Sequence, residues 1–209
     1  MRALSFIWDM DGTLVDSYPA IVPSVRQACE EFGLDLDVSY IREQILRSSV
    51  GSFLEQLSIK DTALLKTRFN TLNDNNIDKI RAMPHAEEVL SFLSKRGHRN
   101  FVYTHRGASC RAILNRCGLL PCFTEVVTAL DGFPRKPSPD AILYLIEKYG
   151  LKPDSCFYVG DRSIDIEAAV NAQIGSILLL PPDSPTQVSG RESYIVTDLP
   201  EICEIVASL

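Results

Sequence analysis

The chain has 209 residues, 45% of them apolar and 23% charged, enough for a sizeable core and long enough for one domain or one domain carrying an insertion. Its 21 Lys and Arg against 27 Asp and Glu leave a net charge of −6, which argues against a nucleic-acid partner, whose phosphates demand a basic face. No apolar run reaches the roughly 20 residues that cross a bilayer, and the apolar part of residues 1–8 is too short for a secretory signal, so no membrane and a cytoplasmic protein are expected. An anionic small substrate stays compatible, because a metal ion and a few local cations can reverse the field in one cleft. Cys29, Cys110, Cys117, Cys122, Cys156 and Cys203 lack the close pairing or His neighbours of a zinc site, and are expected to be reduced, mostly buried thiols.

In chain order, residues 4–8 are a short apolar run ending in Asp9-Met10-Asp11-Gly12-Thr13, which predicts a buried parallel strand opening into a polar turn. From about Pro19 to Ile80 no strand signal occurs. Ile21, Val25, Ala28, Cys29 and Phe32 recur at helical spacing before a stop at Gly33, and helical patterns continue over residues 41–46, 50–57 and 64–72. A helical block of roughly sixty residues is therefore expected between the first strand and its crossover helix, with hinges at residues 14–18 and 78–84. Alternation resumes with strands at residues 99–103, 155–159 and 175–180 and helices at 86–96, 108–117, 139–149 and 164–172. This order predicts an α/β fold, a parallel sheet covered by helices on both faces. Residues 181–192, rich in Pro and Ser, are expected to form a surface loop.

The chemistry-bearing residues fall at strand ends. Two carboxylates one residue apart, Asp9 and Asp11, can divide the work: one coordinates a metal and acts as nucleophile, the other exchanges protons. Gly12 permits a sharp turn that carries backbone N–H groups toward an anion, with Thr13 beside it. Thr104 ends the second core strand, where its hydroxyl either binds phosphate oxygens or caps a helix. Lys136, in Arg135-Lys136-Pro137-Ser138-Pro139, is either a solvated charge or a cation held in place by the stiff backbone after it. In Gly160-Asp161-Arg162-Ser163-Ile164-Asp165 the two aspartates share a helix face, and their ordinary role is to cap the helix and meet its positive end. Each signal has a bland explanation singly. Their joint occurrence in one order at successive strand ends does not.

Asp9-Met10-Asp11-Gly12-Thr13, Thr104, Lys136 and Gly160-Asp161 with Asp165 resemble the motif set of the haloacid dehalogenase-like (HAD) hydrolase superfamily, and the match spans essentially the whole chain. The pattern is most similar to the phosphatase branch with an all-helical cap, near the phosphoglycolate phosphatase and beta-phosphoglucomutase relatives, including Asp16-Ser17-Tyr18-Pro19. The resemblance implies a doubly wound, Rossmann-like parallel sheet with an inserted helical cap. Residues 1–16 and 82–209 would be the catalytic core and 17–81 the cap. It implies that Asp9 is phosphorylated, that Asp11 serves as acid and then base, and that Thr104 and Lys136 balance the phosphoryl charge. Magnesium would be held by Asp9, the Asp11 carbonyl and Asp161, with Asp165 direct or through water, an oxygen-rich set that suits the ion. The acid at Asp11 points to phosphoryl transfer rather than carbon–halogen cleavage.

One departure stands out: His105 and Arg106 follow Thr104 where many relatives carry Asn. Both are candidate substrate contacts. His105 either adds positive charge near the phosphate or points to solvent, and for Arg106 a surface role is favoured. In the cap, Arg47, Ser48, Ser49 and Gly51 form a polar turn in which Arg47 is either a partner for a substrate anion or a solvated charge. Tyr18 either faces the cleft or packs in the hinge. The expected activity is hydrolysis of a small phosphorylated metabolite, phosphoglycolate or a sugar phosphate, by a monomer or weak dimer. The alternatives are a phosphomutase and a non-catalytic binder of phosphate metabolites.

Overall fold

The computed structural model describes residues 3–182 and 184–209; Met1 and Arg2 of the opening segment and Asp183 of the expected loop lie outside the described residues. The chain divides into two compact units, Met1–Val15 with Ala82–Leu209, and Asp16–Arg81. In chain order the elements are β1 (Ser5–Trp8), β2 (Val15–Asp16), α1 (Tyr18–Glu31), α2 (Val38–Arg47), α3 (Val50–Gln56), α4 (Thr62–Asp74) and β3 (Arg81–Ala82). There follow α5 (Ala86–Lys95), β4 (Arg99–Tyr103), α6 (Ser109–Arg116), β5 (Glu125–Val127), α7 (Asp140–Tyr149), β6 (Cys156–Gly160), α8 (Ser163–Asn171), β7 (Gly175–Leu179), β8 (Tyr194–Val196) and α9 (Glu201–Ser208). Among the described residues, no helix is long and apolar enough to cross a membrane.

The larger unit is built on a six-stranded sheet in the order β5-β4-β1-β6-β7-β8, with all neighbouring strands parallel. Its central strands are apolar at successive positions because both faces are covered. Ile7, Phe101, Tyr103 and Tyr158 pack on one face with Ala141, Ile142 and Leu145 of α7 and Ala168 and Ala169 of α8. Phe6 and Trp8 project to the other face, where Phe6 stacks on Phe157 with ring centroids 5.9 Å apart. Trp8 Nε1 there donates to Asn100 Oδ1 at 3.0 Å, so the buried indole N–H is paired. After β1 the chain builds the sheet toward β5, and after β6 it builds toward β8. The carboxyl ends of β1 and β6 therefore flank the point where the winding reverses, the place where such sheets gather ligands.

The smaller unit is all-helical between its terminal strands. Ile21, Val25, Ala28 and Cys29 of α1 meet Ile41 and Ile45 of α2, Phe53 of α3, and Leu65 and Phe69 of α4 in one buried cluster. The helix starts follow from local chemistry. The Asp37 side chain accepts the Ser39 N–H at 2.7 Å, Ser49 accepts Ser52 N–H at 3.0 Å, and Asp61 accepts Leu64 N–H at 2.9 Å. Gly33 takes φ +82° after α1, the left-handed stop that its position predicts. Tyr18 packs against this helical cluster.

Five elements lie outside the expected set: β2 and β3 in the expected hinges, and β5, β8 and α9. None of the cysteines is in a disulfide; Cys29, Cys110 and Cys156 are buried and Cys117, Cys122 and Cys203 are half-buried.

Candidate active site

Asp9 is the first residue past β1 and is 1% exposed. Its main-chain N–H donates to Val159 O of β6 at 2.8 Å, so the sheet ladder itself delivers the carboxylate to the β1–β6 edge. The chain then folds back on itself. Thr13, Leu14 and Val15 N–H groups converge on Met10 O at 2.9–3.3 Å, and Gly12 at φ +84° donates its N–H to Val15 O at 2.9 Å. Gly12 thus supplies the turn but not an anion contact, because the N–H groups of Gly12 and Thr13 are used inside the loop. Thr13 turns its hydroxyl toward Asp161 Oδ1 at 3.4 Å, so it orders a carboxylate rather than reaching outward.

Lys136 is buried, with its Nζ 2.6 Å from Asp9 Oδ1, 2.7 Å from Asp165 Oδ1 and 2.8 Å from Tyr158 Oη. All three ammonium protons have partners, which is what allows a Lys to be buried at all. Tyr158 Oη in turn donates to Tyr103 O at 2.8 Å. Burial works against the charge on Lys136, but Asp165 and Asp9 outweigh it and hold its pKa above the ordinary value. Burial likewise pushes Asp9 up, yet Lys136 and Arg162 prevail and keep its carboxyl below the usual range. Asp9 is consequently an ionised carboxylate in a dry setting.

Arg106 lies inside the site, contrary to the surface role favoured from sequence. It is 8% exposed, and its guanidinium grips Asp11 as a fork, Nε to both carboxylate oxygens at 3.1 Å and Nη2 to Oδ1 at 2.7 Å. The cause is local: Thr104 N–H joins Val127 O at 3.0 Å, Thr104 Oγ1 accepts the Arg106 N–H at 3.1 Å, and this turn swings Arg106 across to β1. Thr104 is therefore buried at the edge and caps no helix, since α6 begins only at Ser109.

His105 contributes no positive charge. Burial, reinforced by Lys136, Arg135 and Arg162, lowers its pKa to about 2. Its Nε2 accepts the main-chain N–H of Lys136 at 2.7 Å, so the neutral ring fixes the lysine loop. Arg47 lies at the end of α2 in the helical unit, exposed and paired with Glu43 at 2.6 Å. Ser48 bonds back to Gln44 O at 3.0 Å and Ser49 caps α3, so the polar turn between these helices satisfies itself.

Asp161 follows β6, and Asp165 lies in the first turn of α8. Ligand atoms of Asp9, Asp161 and Asp165 fall within 4.8 Å of one another, all three buried. Hard carboxylate oxygens at the end of a sheet suit magnesium. Asp165, however, spends Oδ1 on Lys136 and Oδ2 on the Arg162 N–H at 3.2 Å. Asp9 also divides its oxygens, Oδ1 to Lys136 and Oδ2 to Arg162, but the Arg162 contact is the longest of these at 3.4 Å, so Asp9 and Asp161, with the Asp11 carbonyl expected from the motif, are the better-fitting ligands and Asp165 braces Lys136. Gly160 makes that brace possible: a Cβ there would stand well inside contact with the Asp165 carboxyl group.

Sequence reasoning passed over Tyr158, Tyr103 and Arg162. The tyrosines read as ordinary core residues of β4 and β6. Arg162 had a usable signal, a cation set directly after Asp161 in a turn that must be buried. Thr186, in the loop taken as surface, also returns to the site and donates to Asp161 O at 3.0 Å.

The haloacid dehalogenase-like hydrolase family model matches residues 6–179. The chain is 24% identical to pyrophosphatase PpaX of Oceanobacillus iheyensis over 99% of this chain and 98% of that one. It is 30% identical to the phosphoglycolate phosphatase of Pasteurella multocida, covering 79% and 80% of the two chains. A haloacid dehalogenase-like family hydrolase of solved structure from Streptococcus pneumoniae superposes with a TM-score of 0.83 at 18% identity, over 98% of each chain, and so shares the fold. With its motifs at the ends of the strands that flank the winding reversal, the chain belongs to the haloacid dehalogenase-like hydrolase family, in its phosphatase branch.

Proposed function

We propose that the enzyme is a magnesium-dependent phosphatase that hydrolyses a small phosphomonoester, phosphoglycolate or a sugar phosphate, through a phosphorylated Asp9. The observation that carries this reading is the buried Lys136 ammonium shared between Asp9 and Asp165, which holds Asp9 ionised where the strand ends converge. Asp9 attacks phosphorus and the bond to the leaving oxygen breaks, that oxygen taking a proton from Asp11. Asp11 then accepts a proton from water as the water oxygen attacks phosphorus, releasing phosphate and restoring Asp9. Bound magnesium, held by Asp9, Asp161 and the Asp11 carbonyl, would neutralise phosphoryl charge. Lys136 shares that electrostatic work, and the Thr104 hydroxyl, which accepts from Arg106 N–H, keeps its own proton to donate.

Asp11 must give up part of its grip on Arg106 to exchange a proton, so the guanidinium is placed to follow the substrate's anionic oxygens. Residues 17–81 act as the selecting cap in this reading, and six cysteines outside any disulfide favour a cytoplasmic setting.

The test is phosphate release from phosphoglycolate, sugar phosphates, nucleotides, inorganic pyrophosphate and an aryl phosphate, with magnesium, with a chelator, and with magnesium restored. Release from one or a few monoesters that vanishes on chelation and returns with the ion supports the proposal. Release from pyrophosphate alone would replace the monoester assignment. Isomerised sugar phosphate without release would mark a phosphomutase.

A further inference from the structure

Asp9 and Asp161, the two side chains best suited to the metal, already face a cation of the chain itself. Arg162 Nη2 lies 3.4 Å from Asp9 Oδ2, and its Nε lies 3.8 Å from Asp161 Oδ1. Its side chain is only 12% exposed. The two oxygens of Asp9 are divided between cations, Oδ1 to Lys136 and Oδ2 to Arg162. Lys136 is committed, since it also holds Asp165 and Tyr158. The Arg162 main-chain N–H is pinned to Asp165 Oδ2 at 3.2 Å, and its guanidinium sits at the end of a long, rotatable stem.

We propose that Arg162 is the resident counter-ion of the Asp9–Asp161 carboxylate pair and sets the enzyme's magnesium affinity by contending for those two side chains. A guanidinium remains charged at any pH the fold survives, so it yields to a divalent ion only by moving away. Metal loading is then an exchange of cations rather than a simple addition, and its free energy is reduced by whatever Arg162 loses on leaving. The same contact keeps three buried carboxylates from facing one another with Lys136 alone between them. Arg162 therefore protects the metal-free fold and weakens the metal-bound state by the same interaction. This proposal rests on the magnesium reading of the site.

Titration calorimetry with magnesium chloride on the wild type and on Arg162→Gln tests it without recourse to turnover. Magnesium should bind the variant about tenfold or more tightly. The metal-free variant should melt at a lower temperature than wild type, and magnesium should raise its melting temperature by a larger increment. Equal or weaker binding by a folded variant overturns the role given to Arg162. No binding to either protein overturns the metal assignment instead, and the two failures are thereby distinguishable. Should Arg162→Gln not fold, the wild type still decides. Its assigned Arg162 Nε–H resonance should shift as magnesium saturates, and an unmoved resonance alongside calorimetric binding overturns the proposal.

Discussion

Lys136 illustrates how one atom organises a site. Its ammonium joins Asp9, Asp165 and Tyr158, which come from the ends of β1, the start of α8 and β6. Asp9→Asn removes the nucleophile while nearly preserving shape, and leaves Asp165 to compensate the lysine. Phosphate release should fall at least about a thousandfold, with the far-ultraviolet circular dichroism spectrum unchanged; a variant of normal activity would sink the mechanism. In the proposed mechanism Arg106 positions Asp11 as well as following the substrate's anionic oxygens. Arg106→Met should lower kcat roughly tenfold to a hundredfold through a misplaced carboxylate, and Arg106→Lys should recover part of it. Steady-state kinetics on the best substrate of the panel checks this, and a change confined to KM would instead assign Arg106 to substrate binding alone.

At the scale of the element, the turn from β6 into α8 carries the most constraint. Gly160 ends the strand, Asp161 faces the site, and Asp165 returns over Gly160 to reach Lys136. Gly160→Ala forces a methyl into the Asp165 carboxyl group, so either the strand end or the brace must shift. A stability loss of about 1–3 kcal/mol by urea denaturation is expected, together with loss of activity. A silent substitution would mean that Asp165 has room to spare. Tyr158 ties the same strand to β4 through Tyr103 O. Tyr158→Phe removes one partner from a buried ammonium and one from a buried carbonyl, and should cost about 1–3 kcal/mol by the same measurement.

Over the whole molecule, stability should depend on pH through His105. Its folded pKa of about 2 lies below the ordinary value of 6.5, so the unfolded chain takes up a proton that the folded chain refuses. The neutral ring's contribution is complete above about pH 6.5 and is lost progressively as the pH falls toward the folded value. The loss amounts to at most ~1.4 kcal/mol per pH unit. His105→Gln keeps an acceptor for the Lys136 N–H and deletes the titration. Unfolding free energies from pH 7 to 5 should therefore fall less steeply in the variant than in wild type, and parallel slopes would show that His105 is solvated and titrates freely. His98, whose pKa burial also lowers, contributes equally to both proteins and cancels.

Patterns local to the chain were readable without coordinates. Apolar runs of three or four residues just ahead of Asp9, Thr104 and Gly160-Asp161 located three central strands, because a doubly covered parallel strand is apolar at successive positions. Helical period and the Gly33 stop placed the helices of residues 16–81, while the Asp37, Ser49 and Asp61 caps, each acting on a neighbour two or three residues on, went unread. The short edge elements escaped. Glu125–Val127 and Tyr194–Val196 have three residues each, too few to display a period, and take their strand character from pairing with β4 and β7. Pairings between distant residues were out of reach of the residue pattern alone, and only the resemblance set Lys136 beside Asp9. The Arg106 fork on Asp11 spans 95 positions and the Lys136 bond to Asp9 spans 127. A charge in a linear sequence reads as solvated until the fold brings its partner. The residue types and their order are written along the chain, but the partner of each charge depends on which strand ends the sheet sets side by side.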